Sequence, residues 1–465
     1  MLNHFNFRRF GREVLLTNDF GMYAFLKEEE FRKFVTNKIS CDDEYYQMLK
    51  NKLFVIDDPM ELFSNETVSA LREMKNYLFS STALHIFAVT NACNLNCIYC
   101  QAKDKASNLG GYMTPEIGRK AVALALQSPS DSLTFEFQGG EPLLNFETIK
   151  AMIEYCEENK GKKDVRYTLV SNLIALSDDK LNYMAEHHVA VSTSLDGPCH
   201  VHDYNRRFRK GGSSFEYMEQ GLQKLKERGI SAGAIETTTR YSLSYPEEIV
   251  DTFHSHGLPG IFLRPLTPLG FAQADWESIG YSAEEFLVFY RKAFERILEI
   301  NREGCWFPEQ LSVYFLKKIL HGFAYNYMEL RSPCGASMGQ MSYYYDGNVY
   351  TCDEGRMISE SGNYAFRLGT VDNTYEELMQ SPVCKTTAVA SVLESLPACS
   401  DCVYQPYCGV CPVVTYAMEK DIFPKVPKGF RCEIYAGILD ILFEKIRDGN
   451  EQTLGIFESW IREAM

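Results

Sequence analysis

From Leu84 to about residue 265 the sequence alternates between two periods, and that alternation narrows the fold more than any other feature. Six short apolar runs, 84–90 (LHIFAVT), 132–138, 165–170, 189–194, 230–238 and 260–265, read as strands. Helical patterns fall between them near 114–127, 146–158, 178–187, 213–228 and 244–256. Strands separated by helices imply parallel βαβ units. Six are too few to close an eight-stranded barrel, so the expected class is α/β, a partial (β/α)6 TIM-like barrel. Chemistry in such folds gathers on the loops at the C-terminal ends of the strands. The expected divisions are a small N-terminal unit over 1–80, the barrel over 81–266, a helical connector over 267–330 and a cysteine-rich region over 331–465.

The loop after the first strand, NACNLNCIYC, holds Cys93, Cys97 and Cys100 at C-x3-C-x2-C spacing. Three thiolates are one too few for a closed tetrahedral zinc site. Soft thiolates also suit iron–sulfur clusters, and a cubane on three cysteines keeps one iron open for an outside ligand. The bland alternative is three buried or zinc-bound cysteines. The next strand ends carry polar groups on the same expected face. Gly139-Gly140-Glu141-Pro142 offers close backbone approach and a carboxylate for an ammonium group. Ser171-Asn172 ends the third strand, and Ser192-Thr193-Ser194-Leu195-Asp196-Gly197-Pro198 the fourth, followed by His202, Asp203, Arg206 and Arg207. Hydroxyls there suit a ribose, and a guanidinium suits a carboxylate. Each alone is also ordinary turn chemistry.

Composition removes some classes. A net charge of −15 argues against a nucleic-acid or anionic-membrane surface. No apolar stretch reaches the roughly 18–20 residues that span a bilayer. The first residues, MLNHFNFRRFGREVLL, lack a long apolar signal segment, so the expectation is a cytoplasmic protein. Thiols are kept reduced there, and 15 cysteines then point to metal binding rather than disulfides. A second field supports that: Cys334, Gly347 and Cys352 at C-x12-G-x4-C, then Cys399, Cys402, Cys408 and Cys411 at C-x2-C-x5-C-x2-C, then Cys432. Zinc on four thiolates is the alternative. Cys41, Cys156 and Cys199 read as ordinary thiols. Two amphipathic helices, 281–302 and 310–323, precede this field, and two more, 433–446 and 452–464, follow it as a lid or brace.

In the first 80 residues, 13–17 and 22–26 read as strands around an Asn18–Gly21 turn. Helices are expected at 27–35 and 42–51, and a short strand at 53–56. This order resembles the winged-helix leader-recognition module of enzymes that modify ribosomal peptides. That resemblance implies β-augmentation by an extended leader. A plain cap packed on the barrel is the alternative.

C-x3-C-x2-C after strand one, GGEP after strand two and SLDGP…HD…R after strand four resemble the radical S-adenosylmethionine enzymes over roughly 84–265. The resemblance implies a 4Fe–4S cluster on Cys93, Cys97 and Cys100, whose open iron binds S-adenosylmethionine and cleaves it to a 5′-deoxyadenosyl radical. It also implies a cofactor site of Tyr99 near the adenine, Gly140 and Glu141 toward the amino group, Gly139, Ser171, Asn172, Ser192 and Ser194 (the last toward the ribose), and Arg206 toward the carboxylate. The later cysteines resemble the SPASM extension of that superfamily, although Gly409-Val410 leaves two residues where three are usual. By that analogy one auxiliary cluster takes Cys399, Cys402, Cys408 and Cys432. The other takes Cys334, Cys352 and Cys411, and the position from which some relatives supply a fourth ligand, six residues before the first cysteine, is Met328. Either Cys305 or Cys384 reaches it, or the site is open to substrate. Asp353 falls where sulfatase-maturing relatives keep a general base; capping the turn at Asp353-Glu354-Gly355 is the alternative.

The whole chain is similar to the radical SAM maturases of the His-Xaa-Ser peptide systems (HxsB type). That implies three 4Fe–4S clusters, a ribosomally made precursor peptide, C–H abstraction leading to a carbon–carbon or thioether cross-link, and a flavodoxin- or ferredoxin-type electron donor. The competing expectations are oxidation of Ser or Cys to formylglycine, and a non-catalytic iron–sulfur carrier or scaffold.

Overall fold

The structure, a computed structural model, describes residues 1–101, 110–324, 329–424 and 429–463; Met328 lies outside them. Two sheets organise the chain. The first is an antiparallel meander, β1 (Asn6–Phe10), β2 (Glu13–Thr17) and β3 (Tyr23–Lys27). Between β2 and β3 the Asn18 side-chain oxygen accepts from the backbone N–H groups of Phe20 and Met22, and Gly21 takes φ +73°. Val14 and Leu16 pack on Phe34, Leu49 and Phe54 on one face of β2, while Leu15 joins the large helical core on the other. The strand expected at 53–56 reduces to one bridge, Leu2 to Val55. Leu53 is left-handed, with φ +59°, which interrupts an extended run at its first residue.

The second sheet has nine strands. β4 (Leu84–Thr90), β5 (Ser132–Gly139), β6 (Asp164–Ser171), β7 (Ala190–Ser194), β8 (Ala232–Thr238) and β9 (Leu263–Pro265) lie side by side and parallel, in chain order. The last is shorter than expected because Gly260, at φ +154°, and the Ile261–Glu309 bridge come before it. On the other edge β10 (Gln340–Tyr344) adds parallel to β4, and β11 (Asn348–Tyr350) and β12 (Arg367–Thr370) extend it antiparallel. The 331–465 region thus extends the barrel sheet through β10. Leu133, Phe135 and Phe137 of β5 pack outward with residues of the helices Pro115–Ala125 and Phe146–Asn159. Thr134, Glu136 and Gln138 alternate with them and are half-buried on the inner face.

The helices Ala283–Arg302, Gln310–His321, Phe430–Asp448 and Glu451–Glu463 form one core, with Phe294, Phe457 and Trp460 in contact. They act as a brace, which also takes Tyr23 and Phe25 of β3 through Phe443. Among the described residues no helix is long and apolar enough to cross a membrane.

One buried group makes the fold acid-sensitive. His85 of β4 is fully buried, and its Nδ1 lies 2.9 Å from the Tyr343 hydroxyl. Burial, and then Lys163, push its pKa from 6.5 down to about 3. A depressed folded-state pKa gives stability that is present above the unfolded value and lost as pH falls below it. Between about pH 7 and pH 5 this one residue should cost about 2 kcal/mol. His85→Gln should flatten that part of the pH dependence of the urea midpoint. Equal slopes in both proteins would rule it out.

Candidate active site and cysteine clusters

The cysteine loop leaves β4 and is held at both ends by backbone. Asn91 exchanges hydrogen bonds with Gly111, and the Ala92 N–H donates to Thr90 Oγ1. Farther on, the N–H groups of Asn96 and Ile98 donate to the carbonyls of Arg207 and Asn205. The three sulfurs of Cys93, Cys97 and Cys100 are half-buried. Asn172 donates to Asn94 Oδ1 at 2.7 Å and lies 3.9 Å from Cys93 Sγ.

Gly139 and Gly140 serve this loop directly. The N–H groups of Gly140 and Glu141 donate to the carbonyls of Thr90 and Ala92 at 2.7 and 2.8 Å. A Cβ on Gly140 would lie 2.1 Å from the Ala92 carbonyl oxygen, so the close approach is made by the cysteine loop's own backbone. Glu141 is fully buried and ties the strand ends together, accepting from Leu143 N at 3.0 Å, Ser171 Oγ at 2.8 Å and Asn172 N at 2.9 Å. Burial raises its pKa and those hydrogen bonds oppose the rise. A carboxylate offers about four acceptor positions, so one remains for an ammonium group. On β7, Ser192 and Ser194 alternate with the buried Val191 and Thr193, which puts the two serines on the inner face.

The expected clamp is differently engaged. Arg206 donates through Nε and Nη2 to Asp196 at 3.1 and 3.2 Å, and its guanidinium sits 5.2 Å from the Tyr99 ring centre. The Tyr99 hydroxyl donates to the same carboxylate at 2.8 Å. Arg206 faces a carboxylate, but it is one of this chain. Asp196 has no exposed surface, and a buried carboxylate requires such a partner. Burial works against the Arg206 charge, yet Asp196 outweighs it and the pKa is raised.

A second constellation faces the inner side of the sheet. Helix Asp353–Ser359 lies on β10 and β11 with Cys352 as its N-cap, so Asp353-Glu354-Gly355 is a first helical turn rather than an isolated one. Asp353 accepts from Arg356 Nε at 2.7 Å, and Arg356 Nη1 lies 3.7 Å from Glu360. Glu360 accepts from Asn91 at 3.4 Å and from the Tyr344 hydroxyl. A polar chain thus runs from beside Cys352 to the loop of Cys93. Glu136 faces Asp353, Arg264 and Glu354; burial, and then Asp353, push its pKa up to about 7. Sequence reading missed Glu136, Arg264 and Arg356, whose partners come from strands and a helix far apart in the chain.

The later cysteines assemble in two groups. Cys399, Cys402, Cys408, Cys411 and Cys432 line a cavity of about 210 Å³ with Gln405 and Arg431. Cys334, Cys352 and Cys411 share a second buried cluster. Burial pushes Cys399 up to about 12 and Cys334 and Cys432 up to about 11, so a bound metal must displace protons from these thiols. Cys305 is exposed and Cys384 is buried. Among the described residues no three His, Cys, Asp or Glu side chains converge on a single-ion site. The donor sets fit iron–sulfur clusters: three thiols on a loop in a glycine cradle, five around one cavity, and a buried group of three that shares Cys411 with it.

The family described as the radical SAM superfamily matches residues 87–261. An uncharacterized protein of Methanocaldococcus jannaschii is 31% identical over 183 residues, 39% of this chain, and the match spans only 62% of that relative's length. A cysteine-type anaerobic sulfatase-maturating enzyme of Clostridium novyi is 23% identical over 380 residues, 78% of this chain and 95% of its own. Among solved structures, native anSMEcpe with bound AdoMet aligns with a TM-score of 0.68 at 20% identity, covering 79% of this chain and 98% of its own. Streptococcus suis SuiB bound to precursor peptide SuiA aligns with 0.54 at 14%, covering 92% and 99%. Residues 87–261 thus match the radical SAM superfamily, a likeness that implies a 4Fe–4S cluster and S-adenosylmethionine, and the chain's α/β fold is that of anSMEcpe and SuiB.

Proposed function

We propose that this chain is a radical SAM peptide maturase with three 4Fe–4S clusters that cross-links residues of a ribosomally made precursor peptide of the His-Xaa-Ser kind. One observation carries the reading: the cysteine loop and the Cys352–Glu354 turn are joined across one inner sheet face through Glu360, Arg356 and Asp353. A substrate on that face lies between two cysteine sites. Cys93, Cys97 and Cys100 would hold the first cluster, and S-adenosylmethionine bound there would supply hydrogen-abstraction chemistry at a substrate carbon. The chain's residues do the rest. Glu141 offers its remaining acceptor position to the amino group, and Ser194 faces the ribose. Tyr99, Asp196 and Arg206 form a rigid wall, and Glu136 and Asp353 offer carboxylate oxygens to a proton leaving the substrate.

The N-terminal sheet supports a peptide substrate with a leader. It is anchored on the cluster loop of the C-terminal region: Asn6 donates to the carbonyls of Ser400 and Cys402, Thr17 to Val403, and Tyr407 to Gly21. These bonds seat the sheet on that region, and both β1 and β3 are edge strands. A leader strand added there would bear directly on the Cys402 loop. The proposed electron source is a flavodoxin- or ferredoxin-type protein.

Anaerobic reconstitution should give about twelve irons per chain. Reductant and S-adenosylmethionine should then yield 5′-deoxyadenosine, abolished by Cys97→Ala. About four irons would remove the auxiliary clusters, and tightly bound zinc would remove the reading altogether. Formylglycine formation is the second reading, favoured by the position of Asp353 beside Cys352. Mass spectrometry separates the two: a sulfatase-derived peptide whose Ser loses two hydrogens, or whose Cys becomes the aldehyde with its sulfur lost as sulfide and an oxygen gained from water, favours it, and a cross-linked precursor peptide excludes it.

A further inference from the structure

We propose that the Glu354 carboxylate is the fourth ligand of the cluster held by Cys334, Cys352 and Cys411, an inference that rests on the three-cluster reading above. The three thiols are buried together, and each bears electrostatically on at least one of the others. Neither remaining thiol completes the set. Cys305 is exposed at the end of a long helix, and Cys384, though buried, lies outside the cluster that holds the three thiols.

Three carboxylates surround the group, and two of them are satisfied. Asp353 is paired with Arg356 at 2.7 Å. Glu329 is held by Arg431 and by the Tyr435 hydroxyl at 3.0 Å. Glu354 differs. It is only 8% exposed and accepts no hydrogen bond from another residue among those described. Its one cation, Arg264, stands off at 3.7 Å. Around it lie Glu329, Asp353 and all three thiols.

A buried carboxylate crowded by acids is costly unless it is neutralised or metal-bound. The backbone favours the second outcome. Glu354 falls in the first turn of the helix that Cys352 caps, where the Gly355 N–H donates to Cys352 Sγ at 3.3 Å. The same turn thus delivers a thiol and a carboxylate toward one centre. A carboxylate is a harder donor than a thiolate and is the weakest ligand of such a set, so its iron should be the first released.

The test uses the full reconstituted chain, with S-adenosylmethionine present to fill the first cluster's open iron. Glu354→Gln should lose about one iron per chain on mild oxidation and show a three-iron EPR signal that the parent lacks. Glu354→Cys should restore the four-iron behaviour, which separates ligation from misfolding, and Glu329→Gln should behave as the parent. A Glu354→Gln protein identical to the parent would overturn the inference and leave the cluster open to substrate. A three-iron signal from Glu329→Gln alone, or no restoration in Glu354→Cys, would overturn it too. A parent with about eight irons would instead remove the three-cluster reading, and the inference with it.

Discussion

Gly140→Ala should strip the first cluster from an otherwise folded chain: iron falls by about four per chain, and 5′-deoxyadenosine formation falls by at least a factor of about 100. The added Cβ would stand 2.1 Å from the Ala92 carbonyl oxygen, 2.6 Å from its carbon and 2.8 Å from the Asn91 carbonyl oxygen. All three are backbone atoms, so no rotamer change relieves the clash. The loop must move, and it is the Asn91–Ala92 segment that sets the position of Cys93. Gly140 N also donates to Thr90 at 2.7 Å, and that bond is lost with the shift. The outward core of Phe135, Phe137 and Ile149 lies in the layer on the sheet's other face, so the fold persists. Gly161→Ala is the control. Its φ of +60° is strained for alanine, but nothing lies within 4 Å. It should hold full iron with a small loss of stability. Full iron in Gly140→Ala would refute the cradle.

The barrel was legible because its strands are short apolar runs bounded by turn residues, and every one of β4 to β9 overlaps its expected range. Their partners on the other edge were not. Gln340–Tyr344 is buried along its whole length, so no alternation marks it, and its parallel pairing with Leu84–Ala88 joins residues about 250 apart in the chain. β1 was missed for the opposite reason, since Arg8 and Arg9 interrupt the apolar signal of an edge strand. The cysteine groupings could be laid out from spacing and resemblance, because thiol positions are discrete. What the charged residues do could not. Arg206 and Asp353 carry the residue types that the resemblance asked for, yet their nearest partners, Asp196 and Arg356, are set by three-dimensional packing. Glu354, one residue beyond Asp353, gains its interest only from being the carboxylate that no cation closely holds.

The Arg206–Asp196 pair gives the second large effect, and it separates a structural from a cofactor role. Arg206→Met should destabilise the chain by about 3–5 kcal/mol, because it leaves a buried carboxylate with no cation. The Asp196 oxygens would keep only the Tyr99 hydroxyl at 2.8 Å and the Thr237 N–H at 3.3 Å. Removing the partner as well relieves the uncompensated charge, so Arg206→Met with Asp196→Asn should recover about half of the loss or more. The thermal midpoint of the three proteins, compared with the parent, reads that cycle. Binding of S-adenosylmethionine reads a different quantity. Were Arg206 only a brace for Tyr99 and Asp196, the double variant would regain affinity as it regains stability. A guanidinium that also meets the cofactor carboxylate predicts otherwise: the double variant becomes stable while its affinity stays at least about tenfold down, the scale of one lost charge-assisted hydrogen bond. Affinity that returns in step with the midpoint would assign Arg206 to the wall of the site and leave the cofactor carboxylate to another group.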